Sequence, residues 1–316
     1  MMSRALALHI GVIAVLFAAQ FLVSEYISLS LTRIMLLAIY AMGYNLLFGY
    51  TGLLSLGHAM FFATGLYVAA LGTTKLGLNV PVSFGLAIVV GAAVSTIIGS
   101  IALRATGVAF MIVTLMFSQA AFLTVLYFGD VTRGDEGIVI PDTIRKLEIG
   151  GVAVDLTSAV LRYNLALLLM AIALLICAAI VKSSIGRVLI AIRENESRTE
   201  MLGYNVVRYK FFVMVASGTL SALAGAAYAL MFAYAGSTLA SIQYSIHPLL
   251  WTLLGGAATL LGPLLGTALM FALTDLASSF TNANLLAVGV VLIVLVLFFP
   301  KGILGTVRAK WLGWLP

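Results

Sequence analysis

Three polar side chains, Asn45, Ser55 and His58, stand close together in an otherwise apolar stretch of the sequence. If this stretch lies in a membrane, the ionisable imidazole of His58 is costly there and is by default a functional group. One interpretation is a neutral imidazole that hydrogen-bonds to a neighbouring helix. The other is a helix broken at Gly52 and Gly57, with backbone groups facing a cavity. In that case Asn45, Ser55 and His58 line a translocation pathway.

A second charged residue inside an apolar segment is Asp275, which follows Pro263. We expect its carboxylate to pair with a polar neighbour such as Thr274 or Asn282, or else to face the pathway. An ion-gradient-driven transporter of small polar solutes usually needs titratable groups paired near the membrane midplane, and Asp275 and His58 are the two candidates. Such a secondary transporter therefore stays open as an alternative.

The sequence lacks the residue patterns of other kinds of functional site. The sequence contains no zinc-protease helix motif, no pair of closely spaced cysteines and no nucleophile elbow. Cys177 is the single cysteine, so the sequence predicts neither a disulfide nor a thiolate metal site. No lysine follows a glycine, so the lysine that a nucleotide-binding P-loop places beside the phosphates is missing. We expect no catalytic residues, no metal and no cofactor bound by this chain.

The amino-acid composition indicates that the chain, and so the residues discussed above, lies in a membrane. Of the 316 residues, 63% are hydrophobic and 9% are charged, whereas soluble domains are roughly 45–50% apolar and about 25% charged. A soluble protein of this length could not hide so much apolar surface. The composition excludes a soluble enzyme and a disordered chain, and the net charge of +6 is too thinly spread for a nucleic-acid groove. The sequence therefore predicts an all-α integral membrane protein.

A membrane-spanning helix needs roughly 20 apolar residues, and the sequence predicts about ten such segments. In the region near 245–265, internal glycines and a proline would interrupt a continuous helix, so we divide it into a short and a longer segment. The predicted spans are 5–23, 31–48, 51–73, 80–102, 106–128, 161–181, 211–234, 245–258, 262–280 and 285–299.

Small residues recur at every fourth position of the span 211–234, which lets helix backbones approach closely. We expect this stripe to pack against a neighbouring helix, within the chain or on a partner. Its members are Ser217, Ser221 and Gly225, with Gly218, Ala222 and Ala226 beside them.

The distribution of lysine and arginine predicts the orientation. With ten crossings, the basic loop 182–210 and the basic C-terminal tail both lie on the inner side, together with most of the chain's 17 lysines and arginines. Nine crossings would put the two most basic segments on opposite sides. We therefore expect a multi-pass protein of one transmembrane domain, 1–316, with both termini in the cytoplasm.

Two loops are predicted to form secondary structure of their own. The outer loop 129–160 holds more than half of the 11 acidic residues and shows a period-two pattern around Gly150 and Gly151, which predicts a small hairpin. The inner loop 182–210 predicts two short helices, since apolar residues recur at helical spacing in the first and Asn195 can cap the second. Gly203 suits a left-handed stop after the second helix. The apolar faces of these helices must pack against another surface, which is the membrane surface, the protein's own spans or a partner.

Four sequence stretches, in this order and spacing, resemble the branched-chain amino acid ABC transporter permeases of the LivM type. The first begins Gly-Tyr-Asn-Leu-Leu-Phe-Gly-Tyr-Thr-Gly and ends at Phe62. Together the matches run from about residue 35 to 305. The four stretches are 43–62, the inner loop 186–205, 222–226, and the pair 253–256 with 261–266.

The resemblance implies one of two membrane subunits of a bacterial inner-membrane importer that works by alternating access. A second permease subunit, as a heterodimer partner, and two ATP-binding cassette subunits, which carry the ATP, would complete the membrane complex. A periplasmic solute-binding protein would deliver the substrate. Membrane lipid would surround the chain. We expect no nucleic acid as a partner. Branched-chain amino acids are the substrates of the family, while urea, short amides and aromatic acids stay open.

The inner loop resembles the family's coupling loop, which receives the push of the ATPase subunits. Its two coupling helices would map to about 186–193 and 196–202. The residues implied in coupling are Arg187, Arg193, Glu194, Asn195, Glu196, Arg198 and Gly203.

Overall fold

The structure is a computed structural model that describes residues 2–149, 152–280, 284–299 and 301–310. Nearly all secondary structure in these ranges is helical, and the strands are short. The helices are α1 (Met2–Ala19), α2 (Glu25–Asn45), α3 (His58–Thr74), α4 (Val80–Ala102), α5 (Gly107–Tyr127), α6 (Gly129–Thr132), α7 (Ala159–Lys182), α8 (Ser184–Glu194), α9 (Glu196–Met201), α10 (Val206–Phe232), α11 (Ile242–Gly255), α12 (Gly262–Phe280), α13 (Asn284–Phe298) and α14 (Ile303–Lys310). The strands are β1 (Ile138–Val139), β2 (Lys146–Ile149), β3 (Val152–Asp155) and β4 (Tyr234–Ala235).

Within the described ranges, five helices are long and apolar enough to cross a membrane: α2 with a π-helical extension to Tyr50, α4, α5, α7 and α10. Shorter apolar helices, Ala7–Ala19 within α1 and Gly262–Ser278 within α12, accompany them. The prediction of an all-α integral membrane protein is confirmed. Each of the ten predicted spans overlaps one of the helices α1–α5, α7 and α10–α13.

The contacts at the helix ends define two ends of the bundle, the α8–α9 end and the hairpin end that carries β2 and β3. At the hairpin end the hydroxyl of Tyr163, near the start of α7, donates to the carbonyl of Leu16, near the end of α1 (2.5 Å). At the α8–α9 end, Arg308 of α14 donates to the carbonyl of Ala258 (3.0 Å) and lines the same cavity as Arg193 of α8. The described C-terminal helix therefore shares an end with the basic loop, as ten crossings require.

Helix α10 forms the centre of the bundle because its small residues allow close backbone contact with α3 and α4. A Cβ atom added to Gly65 would lie 1.9 Å from the carbonyl oxygen of Ala222, and one added to Gly225 would lie 1.9 Å from that of Phe62. A Cβ on Gly91 of α4 would also meet the Ala222 side chain, at 2.1 Å. The predicted small-residue stripe is thus confirmed as a packing surface, and it packs within the chain.

The predicted span 51–73 is wrong at its start. After α2 the chain forms a π-helix over Leu46–Tyr50, then runs without helix from Thr51 to Gly57, and α3 begins only at His58. Gly52 has a φ of +78°, which lies outside the right-handed helical region. The non-helical segment is possible because polar groups elsewhere in the chain satisfy much of its backbone.

The predicted break near 245–265 is confirmed. Helix α11 ends at Gly255 and α12 begins at Gly262. Gly256, between them, has a φ of +122°, a value that other residues rarely adopt. The two helices then pack closely through glycine, since a Cβ on Gly266 would lie 1.8 Å from the carbonyl oxygen of Trp251.

The hairpin predicted in the loop 129–160 is also confirmed, since β2 and β3 pair antiparallel with Ile149 opposite Val152. The two glycines of its turn, 150 and 151, lie outside the described residues. Just after β3, the hydroxyl and backbone N–H of Thr157 donate to the carboxylate of Asp155 (2.6 and 2.9 Å), which holds the pKa of that carboxyl below its ordinary value.

Arg145, next to the hairpin, ties this loop to the end of α10. Its side chain is buried and donates to the carbonyls of Leu230 (3.1 Å), Met231 (2.9 Å) and Leu156 (2.8 Å). A guanidinium at the C-terminal carbonyls of a helix satisfies groups that have no partner within the helix and complements its dipole. A second, unpredicted pairing, β1 with β4, joins the same two parts of the chain.

Candidate functional site

The break between α2 and α3, residues 46–57, is where three separate parts of the chain meet. The Asn45 side chain donates to the carbonyl of Thr259 (2.9 Å) and accepts from the N–H of Ala258 (3.0 Å), in the α11–α12 connection. Arg193 of α8 donates to the carbonyl of Gly49 (2.6 Å). The π-helix leaves carbonyls of its last turn without partners in the helix, and Arg193 satisfies one of them. The inner loop is therefore bonded directly to the end of α2.

Hydroxyl groups stabilise the non-helical part of the break. The N–H of Leu56 donates to the Thr114 hydroxyl of α5 (3.2 Å), and the N–H of Gly57 donates to the hydroxyl of Ser55 (3.2 Å). The Tyr44 hydroxyl donates to the carbonyl of Ser55 (3.1 Å). Without water, such backbone groups need partners from the protein, and here side chains of two helices provide them.

The imidazole of His58 joins the break to α10. It is fully buried, with Nε2 2.7 Å from the Ser217 hydroxyl and Nδ1 3.2 Å from that of Ser55. Both ring nitrogens therefore have neutral hydroxyl partners, and the Tyr44 ring packs edge-on against the imidazole at 4.7 Å. A neutral imidazole bonded to a neighbouring helix, the first of the two interpretations, agrees with this geometry. The helix break at Gly52 and Gly57, which was part of the second interpretation, is present as well.

Asn45, Ser55 and His58 are all brought to the break, but in this conformation their side chains are buried in the helix packing. Their place in a translocation pathway stays a prediction. Asp275 does not pair with Thr274, whose hydroxyl donates to its own helix. Instead the Asp275 carboxylate accepts from the hydroxyl of Tyr26 (2.9 Å). Asn282 lies outside the described residues.

We expect Ser217→Ala to lower the stability of the protein, because it removes the partner of a buried imidazole nitrogen. The penalty for an unsatisfied buried group is roughly 1–3 kcal/mol, measurable as a lower unfolding temperature of the purified protein in detergent. The matched control is Ser221→Ala, one turn further along α10, whose buried hydroxyl bonds only to the carbonyl of Ser217 in its own helix. Equal loss in both variants would contradict the bond to His58.

The short helices of the inner loop form as the sequence predicts, over Ser184–Glu194 and Glu196–Met201. The Asn195 side chain accepts from the N–H of Arg198 (2.9 Å) and so caps the second helix. Gly203 has a φ of +88°, as expected of a left-handed stop. All seven residues implied in coupling are exposed: Arg187, Arg193, Glu194, Asn195, Glu196, Arg198 and Gly203.

The apolar face of α8 is covered by the protein's own spans, which answers one of the open alternatives. Val188 and Ile192 are buried against Val206 and Tyr209 at the start of α10. Glu196 at the start of α9 bonds to Lys210 of α10. Both short helices are thus held against the same span, so a force on one reaches α10 through packed atoms.

A second apolar surface, which the sequence reading missed, lies at the end of α9 and is exposed. Met201 is 80% exposed and Leu202 is 72% exposed. Tyr204 and Val207 add further exposed apolar area. We call Met201, Leu202, Tyr204 and Val207 the α9 tip. Large apolar side chains exposed together at the end of a bundle mark a contact surface.

The inner loop also borders two open cavities. One, of about 510 Å³, lies between Thr51–Leu54 of the break, the start of α5 and residues 192–196. The other, of about 650 Å³, lies between Arg193, the α11–α12 connection and α14. Arg193 lines both cavities, and its guanidinium is also the group bonded to the break. In the described part of the chain, no group of three or more His, Cys, Asp or Glu side chains could hold a metal ion.

Comparison with known proteins identifies the family of this sequence. Residues 26–299 match the family model described as the permease component of the branched-chain amino acid transport system. The chain is 27% identical over 297 residues to the high-affinity branched-chain amino acid transport system permease protein LivM of Salmonella typhimurium strain LT2, covering 88% of this chain and 70% of that protein. LivM of Escherichia coli strain K12 is 26% identical with the same coverage. No solved structure matches. Because the family model covers most of its length, the chain belongs to the branched-chain amino acid transport permease family.

Proposed function

We propose that the protein is the permease subunit of an ATP-driven importer of branched-chain or related small amino acids in a bacterial inner membrane. The observation that carries this proposal is the inner loop: α8 and α9 are fixed to the break and to α10 on one side and expose charges and the α9 tip on the other. A loop built in this way can transmit a force from a separate motor protein. The motor would be two ATP-binding cassette subunits, which carry the ATP.

The contacts suggest how such a force would act. A push on α8 moves Arg193, and with it the Gly49 carbonyl at the end of α2. The same push acts on α10 through Glu196 and Lys210. Since α2 leads into the break and α10 packs against it, their displacement would shift the translocation pathway between outward- and inward-facing forms, as alternating access requires. Both termini would lie in the cytoplasm beside the inner loop.

The other partners would act at other surfaces. A periplasmic binding protein would deliver the substrate at the hairpin end, where Arg145 connects the loop to the end of α10. A second permease subunit would complete the pathway as a heterodimer partner. Two permease subunits each with one inner loop would give one docking surface for each ATPase subunit.

The alternative, an ion-gradient-driven secondary transporter, is less well supported. The described bonds of His58 are to two neutral serine hydroxyls, and Asp275 bonds to a tyrosine. Among the described residues, His58 and Asp275 are not paired with each other, and neither bonds to a second histidine or carboxylate, whereas proton-coupled transport typically uses chains of Asp, Glu and His.

The test is uptake of labelled leucine into proteoliposomes that contain the complete complex and its binding protein. We expect uptake to require ATP and to persist with an uncoupler. Uptake that an uncoupler abolishes, and that continues without ATP, would overturn the proposal in favour of the secondary transporter.

Within this assay we expect Arg193→Ala to lower the ATP-dependent uptake rate about tenfold, since a charge-assisted hydrogen bond to the break is lost. The amount of assembled complex should be unchanged. Arg104→Ala is the matched control, because Arg104 is an exposed arginine between α4 and α5 at the same end of the bundle. An equal effect of both variants would show a loss of general surface charge and would contradict coupling through Arg193.

A further inference from the structure

A cavity of about 470 Å³ lies between α2, α10, α11 and α12, in the half of the bundle nearer the hairpin end. Most of its wall is apolar or aromatic, and it includes Leu37, Tyr244, Trp251 and Met270. The volume is within the range of small-molecule sites, which combine an apolar wall with a few well-placed polar groups. Here the charged groups are Arg33 and Asp275.

Arg33 is a cation without an anion. It lies on α2, inside a membrane-spanning segment, and no carboxylate of the described residues forms an ion pair with it. Its buried Nε atom has no hydrogen-bond partner in the described part of the chain. The guanidinium contacts aromatic faces instead, at 5.0 Å from the ring centre of Phe232 and 6.0 Å from that of Phe271. A buried guanidinium nitrogen without an acceptor is costly, so a ligand that supplies an acceptor would be stabilised here.

Asp275 provides an opposite charge in the wall of the same cavity. It follows Phe271 by four residues on α12, about 6 Å further along the helix axis. Its bond to the Tyr26 hydroxyl uses Oδ1, and the side chain is otherwise exposed to the cavity opening. A positive and a negative group therefore border one cavity without neutralising each other directly.

We infer that this cavity binds a zwitterionic α-amino acid with an aliphatic side chain. The Arg33 guanidinium holds the α-carboxylate in a bidentate arrangement, which suits its planar fork. The Asp275 carboxylate holds the α-ammonium group. The aliphatic side chain lies against Leu37, Met270 and Trp251, where burial of its methyl groups adds affinity. This inference rests on the proposed function and names a substrate site within this subunit.

The charge pattern separates this ligand from the simpler alternatives. A carboxylate from a second permease subunit, or a lipid phosphate, would pair with Arg33 but leave Asp275 without a cation. A neutral amide or urea would use neither charge fully. A ligand that carries both charges on one carbon skeleton satisfies both walls at once.

The experiment is photolabelling of the complete complex, purified in nanodiscs without the binding protein, by a diazirine analogue of leucine. We expect labelled peptides from α2 and α12 around Leu37 and Met270, and we expect leucine to compete. The decarboxylated amine and the deaminated acid of the same skeleton should compete at least tenfold less well, because each lacks one charge.

Two variants identify the groups involved. Arg33→Gln and Asp275→Asn should each lower the labelling about tenfold or more, and Arg33→Lys should restore part of it. Arg104→Gln, at the other end of the bundle, is the control and should label like the unmodified protein. Competition by the amine or the acid equal to that by leucine would overturn the inference. Dissociation of the complex by Arg33→Gln would overturn it too, in favour of a subunit contact.

The outcome is independent of the test of transport. If uptake requires ATP but the cavity is not labelled, the site is wrong and the importer stands. If the cavity is labelled but uptake follows an ion gradient, the site stands and the importer is wrong.

Discussion

Gly65→Val is expected to prevent accumulation of the folded protein, with a loss of roughly tenfold or more in the amount recovered from membranes. The cause is steric: a Cβ at Gly65 would lie 1.9 Å from the carbonyl oxygen of Ala222 and 2.6 Å from its carbonyl carbon. Real Cβ atoms do not approach backbone so closely, so α3 and α10 would have to separate. That separation would open the packing of the central helix and move His58 away from Ser217.

The matched control for this prediction is Gly85→Val in α4. The same side chain is added to a membrane helix, but nothing lies within 4 Å of the new Cβ atom. Any effect of valine on helix propensity or membrane insertion should therefore be the same in both variants. The measurement is the amount of monodisperse protein after detergent extraction. Equal recovery of the two variants would mean that α3 and α10 are not in contact at Gly65.

Local sequence signals were sufficient to predict several elements. The inner loop was predictable because Asn195 and Gly203 act on their own neighbours, through a cap and a left-handed stop. The break before α12 was predictable for the same reason, since Gly256 needs only its own backbone freedom. Composition alone indicated a membrane protein.

The break between α2 and α3 could not be predicted in full, because its causes are distant in sequence. The predicted span began at residue 51, and the glycines at 52 and 57 only suggested a broken helix as an alternative. The groups that stabilise the non-helical chain come from elsewhere: Thr114 lies on α5, and Arg193 lies 144 residues from the Gly49 carbonyl to which it donates. No local pattern contains such a bond.

Arg33 shows the same limit for the candidate sites. In the sequence Arg33 is a single basic residue near the start of the predicted span 31–48, which says nothing of a cavity. Its surroundings become visible only when Phe232 of α10 and Phe271 of α12 are brought to the same place. The α9 tip was missed for a related reason. Met201 and Leu202 were included in a helix that was expected to be amphipathic, and only the fold shows that these two side chains are exposed.

The α9 tip leads to the second prediction with a large effect. Replacing Met201 and Leu202 together by aspartate should reduce the binding of the ATPase subunits roughly 30-fold or more, because the loss of even one central apolar contact of an interface costs about 2 kcal/mol. A buried, unpaired carboxylate adds a further penalty. The measurement is co-purification of the ATPase subunits with the permease, followed by ATP-dependent uptake of leucine.

The control must separate docking from damage to the permease. Leu76, just after α3 at the opposite end of the bundle, is 67% exposed, close to the 72% of Leu202. Leu76→Asp places one aspartate on a similarly exposed leucine, so it should leave the ATPase subunits bound. If the double variant retains them as well, the α9 tip does not contact the motor, and the push on α8 must enter elsewhere. If it loses them while the protein remains folded, the exposed apolar tip is what attaches the motor to a loop already bonded to α2 and α10.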